Sequence, residues 1–228
     1  MKQIALDLGL ATGPTLTSFF AGPNEPALRH LQMSAASPTR SPVPTYLWGS
    51  GGSGKTHLLK SVREALREQG ATAGWMDASV QAPPDFNDAW AAVLMDDVHL
   101  YTAVQQQAAF NWFVNALASR SGQPRWVLAA GDRAPAELEL REDLRTRLGW
   151  GHLFGLQVLS EPERRGVLRQ HADARGIFLR DEVVDFILTR FSRDLGSLVQ
   201  LLDHLDGYAL QTQRAITIPL IKAMLEDQ

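Results

Sequence analysis

Eight consecutive residues carry the most explicit chemistry in the chain: Gly49-Ser50-Gly51-Gly52-Ser53-Gly54-Lys55-Thr56. They fit G-x-x-x-x-G-K-[ST], the phosphate-binding loop. The glycines let the backbone turn so that its N–H groups face an anion. A following helix N-terminus adds partial positive charge at the same point. Lys55 then reaches the β- and γ-phosphates, and the Thr56 hydroxyl becomes a ligand for Mg²⁺. The alternative, a flexible Gly/Ser linker, explains neither the Lys-Thr pair nor the apolar segments on either side.

Further acidic and basic residues extend the site. Asp96 closes the apolar run Ala91-Ala92-Val93-Leu94-Met95 and suits the Mg²⁺ carboxylate of a nucleotide site. Asp97 is placed to orient or deprotonate a water for attack on a γ-phosphate; an acidic turn would look the same. An aspartate is shorter than the glutamate many nucleotide hydrolases use, which predicts slow intrinsic hydrolysis. Asp132 ends the run Trp126-Val127-Leu128-Ala129-Ala130-Gly131, where a polar side chain can meet the γ-phosphate. Arg145 and Arg147 precede Leu148-Gly149-Trp150-Gly151 and are candidates for stabilising phosphoryl charge on a neighbouring subunit. Arg193 stands at the start of a helix and is a candidate to fold back on the nucleotide. Each arginine reads equally well as a solvated surface residue.

The elements that must position these groups follow from periodicity. Tyr46-Leu47-Trp48 reads as a buried strand, and residues 57–66 as an amphipathic helix ending near Gly70. Short strands are expected at 73–76, 91–95, 126–130 and 152–158, with helices at 25–36 and 104–120 and one or two short helices over 135–147. Residues 81–88 contain Pro83-Pro84 and read as loop or a brief turn. Strands alternating with helices around a phosphate loop argue for an α/β fold with a parallel, Rossmann-like sheet and a ligand at the strand C-termini. From Ser160 the character turns all-helical, with helices expected at 161–174, 181–191, 193–212 and 219–226. Ser160 and Glu163 have the spacing of a capping box. Three segments result: an N-terminal peptide and linker (1–15), a nucleotide-binding α/β domain (16–159) and a helical lid (160–228).

Bulk composition excludes several classes. With 22 basic and 25 acidic residues the formal net charge is -3, so charge alone does not predict avid, sequence-independent nucleic-acid binding. The absence of cysteine rules out disulfides, thiolate metal sites and thiol catalysis. No stretch is apolar for long enough to span a bilayer, and Asp7 and Gly9 interrupt the N-terminal apolar run, unlike a signal peptide. A cytoplasmic location is expected. Ile4, Leu6, Leu8 and Leu10 alternate before the break at Gly9, Gly13 and Pro14. That pattern fits an edge strand or a tethered docking peptide.

The order of these pieces resembles the AAA+ P-loop ATPases, specifically the DnaA family with its initiators and its shorter Hda branch. The matching parts are the phosphate loop, Val93-Leu94-Met95-Asp96-Asp97, Ala130-Gly131-Asp132-Arg133-Ala134-Pro135, Arg145-Thr146-Arg147-Leu148-Gly149-Trp150-Gly151 and Ser192-Arg193-Asp194-Leu195. The resemblance implies that these are Walker A, Walker B, sensor 1, the arginine-finger box and sensor 2. Arg147 then falls on the finger, Asp132 on sensor 1 and Arg193 on sensor 2.

Three features favour the Hda branch within that resemblance. The chain stops after the lid, where initiators continue into a helix-turn-helix domain. The segment between Met76 and Val93 is short, where initiators carry an extra helix used on single-stranded DNA. Gln3-Ile4-Ala5-Leu6-Asp7-Leu8 looks like the sliding-clamp-binding hexapeptide of that branch, with Gln3 in a polar slot and Leu6 and Leu8 in an apolar cleft. The resemblance then implies a protein that binds ADP or ATP with Mg²⁺, docks on the DNA-loaded sliding clamp of DNA polymerase III, and stimulates hydrolysis of DnaA-bound ATP. Replication initiation is thereby negatively regulated, and DNA is met only through the clamp. A trans-acting arginine implies head-to-tail contacts, with the initiator or within a homo-oligomer. Two alternatives stand beside it: a self-sufficient AAA+ ATPase of the helicase-loader or DNA-transposition-helper type, and a P-loop small-molecule kinase. The apolar-faced lid, with Phe186, Ile187, Leu198, Leu201 and Leu202, argues against the kinase.

Overall fold

The computed structural model describes residues 14–37, 39, 41–118, 122, 125–191 and 195–226. The chain divides into two compact units, the first ending at Val158 and the second starting at Leu159.

The first unit is a parallel α/β sandwich. Its strands are β1 (Thr45–Trp48), β2 (Thr72–Met76), β3 (Trp90–Met95), β4 (Trp126–Gly131) and β5 (His152–Gly155), in the order β2-β3-β4-β1-β5. Its main helices are α1 (Glu25–Ala36), α2 (Lys55–Glu68), α3 (Ala103–Leu117) and α4 (Glu142–Leu148). Alternation along each strand sends side chains to opposite faces. Leu47, Ala92, Leu94, Trp126, Leu128 and Ala130 join Leu28 and Leu31 of α1 and Leu58, Val62 and Leu66 of α2 in one apolar layer. Tyr46, Val93, Met95, Val127 and Ala129 join Trp112 and Phe113 of α3 and Leu144 and Leu148 of α4 in the other. A sheet covered on both faces needs near-continuous apolar strands, which is what the sequence supplies.

The parallel arrangement sets the C-terminal ends of β1, β3 and β4 side by side, in register Met95↔Ala129 and Trp48↔Gly131. The phosphate loop, Asp96 and Asp132 leave the sheet at those ends. The segment from Asp77 to Ala89 carries no helix, and α3 holds it. Gln105, fully buried, donates from Nε2 to the carbonyls of Asp77, Ala78 and Val80 at 3.0–3.2 Å, while its Oε1 accepts from Thr102 N–H at 2.8 Å. The Trp112 indole donates to Pro84 O at 2.9 Å.

β5 stops at Gly155, short of the expected end at residue 158. The Leu156 N–H still donates to Trp48 O at 2.6 Å. Beyond it a side-chain amide replaces the neighbouring strand: Gln157 N–H donates to Asn24 Oδ1 at 2.8 Å, and Asn24 Nδ2 donates to Gln157 O at 3.0 Å. Helix α3 ends at Leu117 rather than near residue 120.

The second unit consists of α5 (Glu161–Asp173), α6 (Asp181–Arg190), α7 (Leu195–Thr212) and α8 (Ile218–Glu226). Leu168, Val183, Val184, Ile187, Leu198, Leu202, Leu205, Leu220 and Ile221 form its core. At the start of α5 the Ser160 N–H donates to Glu163 Oε2 at 2.6 Å, as the capping spacing predicts. Among the described residues no helix is long and apolar enough to cross a membrane.

Candidate functional site

The loop of residues 49–54 joins β1 directly to α2. Gly52 and Gly54 have φ of +79° and +97°, conformations that side-chain-bearing residues rarely adopt. A Cβ at Gly54 would also lie 2.7 Å from the Phe19 ring. By contrast a Cβ at Gly51 would meet nothing within 4 Å, so that part of the loop is open to a ligand. Lys55 is buried, and its ammonium donates to Gly49 O at 2.7 Å and Ser50 O at 3.1 Å, which holds it over the loop. The Ser53 hydroxyl is buried and has no hydrogen-bond partner among the described residues. The first backbone bond of α2 runs from Leu58 N to Gly54 O, so the N–H groups of the opening turn are left for an external acceptor. A buried ammonium, an unpaired hydroxyl and a helix start around an open turn fit a phosphate chain.

Asp96 is only 2% exposed. Its N–H donates to Met76 O at 2.8 Å, which fixes the strand end. Burial pushes its carboxyl above the usual carboxylate range; the Thr56 hydroxyl hydrogen-bonded to it and the Lys55 charge work in the opposite direction. The two residues expected to share Mg²⁺ are thus in contact. Among the described residues no group of three His, Asp or Glu side chains is assembled for a metal. The donor set fits Mg²⁺ held by one hydroxyl, one carboxylate, nucleotide phosphates and waters. Asp97 has φ +48° and ψ +44°, a left-handed turn that sends the chain sharply away after the buried carboxylate. Tyr101 donates to Met76 O at 2.8 Å, and burial raises its phenol well above the ordinary value, so it remains a neutral donor.

Asp132 follows β4 on the neighbouring strand end. One oxygen accepts from Arg133 Nε at 3.2 Å. The other, Oδ1, faces His99 Nδ1 across 4.0 Å, and both atoms are out of solvent without a hydrogen bond among the described residues. Tyr46 closes this corner by donating to Arg133 O at 2.9 Å. His99 was not singled out by the sequence, because one histidine after an acidic turn carries no spacing signal.

Arg147 lies elsewhere, on α4. Its guanidinium sits 5.1 Å from the centre of the Phe110 ring and 5.9 Å from that of Phe113, both on α3. Arg141 covers the same Phe110 ring at 5.0 Å, but two bonds of 2.7 Å to Asp143 and one to Gln107 Oε1 tie it down. Arg147 has no carboxylate partner among the described residues. The structure therefore brings together residues 49–56, Asp96 and Asp97, sets Asp132 on the adjacent strand end, and keeps Arg147 on the α3–α4 surface. Arg193, Gln3, Leu6 and Leu8 lie outside the described residues.

Comparison with known proteins bears on the fold. Residues 161–225 match the family described as the Hda lid domain. Domain III of the Thermotoga maritima replication initiation protein DnaA superposes with a TM-score of 0.73 at 22% identity, over 93% of this chain and 95% of that one. DnaA from Aquifex aeolicus, solved with AMPPCP bound, matches with a TM-score of 0.69 at 20% identity, over 86% of this chain and 66% of that one. The Thermotoga maritima RuvB Holliday junction branch migration motor matches at 0.61 and 14% identity, over 89% and 68%. The fold is that of the AAA+ proteins, a parallel five-stranded sheet with flanking helices followed by a helical region.

Proposed function

Because this chain has a DnaA-like AAA+ fold and its residues 161–225 belong to the Hda lid family, we propose that it is an adenine-nucleotide-binding regulator of replication initiation. It acts by stimulating hydrolysis of ATP bound to a DnaA-type initiator. Residues 49–56 cradle the phosphates, with Lys55 on the terminal groups. Thr56 and Asp96 hold Mg²⁺, which neutralises phosphate charge. Asp97, Asp132 and Arg193 face the terminal phosphate. That the Aquifex aeolicus DnaA was solved with AMPPCP supports an adenine nucleotide here.

Arg147 is the residue supplied in trans. The observation that carries this reading is its setting: a cation on an aromatic face of α3, paired with no carboxylate among the described residues, on α4 rather than on the chain's own phosphate loop. A guanidinium so placed is not already engaged by a carboxylate that would compete with another subunit's phosphate. Gln3, Leu6 and Leu8 dock the protein on the DNA-loaded sliding clamp, which restricts its action to DNA in replication, and conversion of the initiator to its ADP form makes the regulation negative.

The second reading, a self-sufficient ATPase, draws on the intact contact between Thr56 and Asp96. One experiment separates the two. Phosphate release is followed from ATP-loaded DnaA with this protein, clamp and DNA, each omitted in turn. The regulatory reading expects release that needs every component and falls about 10³-fold with Arg147→Ala, the scale of an arginine finger. Release by this protein alone, insensitive to Arg147→Ala but lost with Asp97→Asn, would replace it with the self-sufficient ATPase.

A further inference from the structure

Two arginines share one aromatic ring on the α3–α4 surface, and their different tethers point to a division of labour. Arg141 lies against Phe110 and is bound through both Nε and an NH₂ group to Asp143, with a further bond to Gln107. Its charge is neutralised and its geometry fixed. Arg147 lies against the same ring and, among the described residues, is held by the faces of Phe110 and Phe113 with no carboxylate partner. Arg145, two residues earlier on α4, makes no ring contact among the described residues, so the aromatic setting distinguishes Arg147 from its neighbour.

The physical consequence follows from the kind of tether. A carboxylate would hold a guanidinium firmly but would cancel its charge and compete with any phosphate. A phenyl ring attracts it through the quadrupole by about 0.5–1 kcal/mol at a partly exposed site. That suffices to bias the long side chain toward one rotamer, and a charge-assisted bond to an oxyanion easily outweighs it. Phe113 is fully buried and forms a rigid wall, while Phe110 is half-buried, with its face available to both arginines. The backbone under the platform is fixed too, since Arg141 N–H donates to Gln106 Oε1 at 3.0 Å and ties the start of α4 to α3.

We propose that Phe110 is a positioning residue for Arg147: it holds the guanidinium extended and uncompensated on an aromatic face, ready for the phosphate of a neighbouring subunit. The proposal rests on the regulatory reading of Arg147. It assigns a task to a side chain of α3 outside the phosphate loop.

The test uses Phe110→Leu, which keeps an apolar side chain at a half-buried position but removes the ring, and Phe110→Tyr, which restores the ring. Nucleotide binding by each variant shows that the fold is intact. In the DnaA phosphate-release assay Phe110→Leu is expected to lower the stimulated rate about two- to fivefold, the factor that such a ring contact supplies, with Phe110→Tyr close to wild type. The Arg147 Nε–H resonance, shifted by ring current in the wild type, moves back toward the value of an unstacked arginine in Phe110→Leu and not in Phe110→Tyr. Wild-type stimulation by Phe110→Leu, in an assay where Arg147→Ala is inactive, overturns the positioning role alone. Equal losses for Phe110→Leu and Phe110→Tyr also overturn it, since the ring would then be irrelevant. No stimulation by the wild type overturns the regulatory reading and the proposal with it.

Discussion

The two units of this chain use polar side chains in opposite ways. In the α/β unit several polar groups bond to backbone across long sequence distances. Gln105 ties three carbonyls of the segment after β2, Asn24 substitutes for a strand beside Gln157, and Trp112 holds Pro84. Ion pairs in that unit join near neighbours, such as Arg29 with Glu25 and Arg67 with Glu64. In the helical unit three ion pairs instead join elements far apart in sequence, Arg165 of α5 with Asp185 of α6, Arg169 of α5 with Asp181 of α6, and Arg175 with Asp203 of α7, beside one local pair, Arg180 with Glu182. Beneath them the core is almost wholly aliphatic. A site built on loops at strand ends needs those loops fixed by directional bonds in a dry environment. A helical bundle is held adequately by apolar packing, with exposed charges adding little.

That contrast is most severely tested at Gln105. Gln105→Leu keeps volume and apolar packing but leaves the carbonyls of Asp77, Ala78 and Val80 and the Thr102 N–H without this partner. Leaving buried groups unpaired costs about 1–3 kcal/mol each when no water replaces the bond. The expected loss is about 3 kcal/mol in denaturant unfolding. All six tryptophans lie between Trp48 and Trp150, so indole fluorescence reads the α/β unit alone and circular dichroism reads both. The Gln105→Leu transition should move in fluorescence by its full amount. A shift below about 0.5 kcal/mol would show that directional bonds do not hold this unit.

How far this was legible in the sequence divides along the same line. The strands and helices followed from apolar periodicity, because burial on two sheet faces leaves runs such as Val93-Leu94-Met95 and Val127-Leu128-Ala129 that little else produces. The phosphate loop was legible because glycine conformations, a lysine and a hydroxyl must occur at fixed spacing. Thr56 and Asp96 were both readable as Mg²⁺ ligand candidates, but the strand order that sets β4 between β1 and β3 was not. Gln105, Asn24, His99 and Phe110 were not legible. Each acts through a partner that is distant in sequence or reached only through tertiary packing, and each is an ordinary residue in its own helix or turn. The early end of β5 has the same origin, since an amide side chain took the place of a strand.

A second comparison concerns pH. His30 on α1 bonds to Thr45 Oγ1 at 2.9 Å and stacks on His152 at 4.5 Å between ring centres. Burial first, then the nearby His152, lowers its pKa below the ordinary 6.5. The unfolded chain therefore binds the proton more readily than the folded one, and stability is lost as pH falls from about 6.5 toward the lowered value. In the helical unit His171 is lowered as well, by burial and then by Arg175, with Asp203 acting in the opposite direction. The two units should weaken together on mild acidification. His30→Gln should flatten the pH dependence of the fluorescence-detected transition below about pH 6.5 while leaving that of the helical unit in place. An unchanged fluorescence slope in His30→Gln would move the titration to another group.

The smallest expected effect decides whether the interhelical ion pairs are structural at all. Arg169 and Asp181 are both substantially solvated, and such pairs contribute about 0.2–1 kcal/mol because water competes and two long side chains must be ordered. Arg169→Gln should cost no more than about 0.5 kcal/mol in the dichroism transition and nothing in fluorescence. In 1 M salt, where screening acts over about 3 Å, the difference from wild type should vanish. A loss above about 2 kcal/mol that survives high salt would mean that the arginine stem, packed beside Ala172 of the core, matters more than its charge. The helical unit would then be held, like the α/β unit, by specific side chains at specific places, and the contrast between the two would narrow to the phosphate loop and the strand ends that carry it.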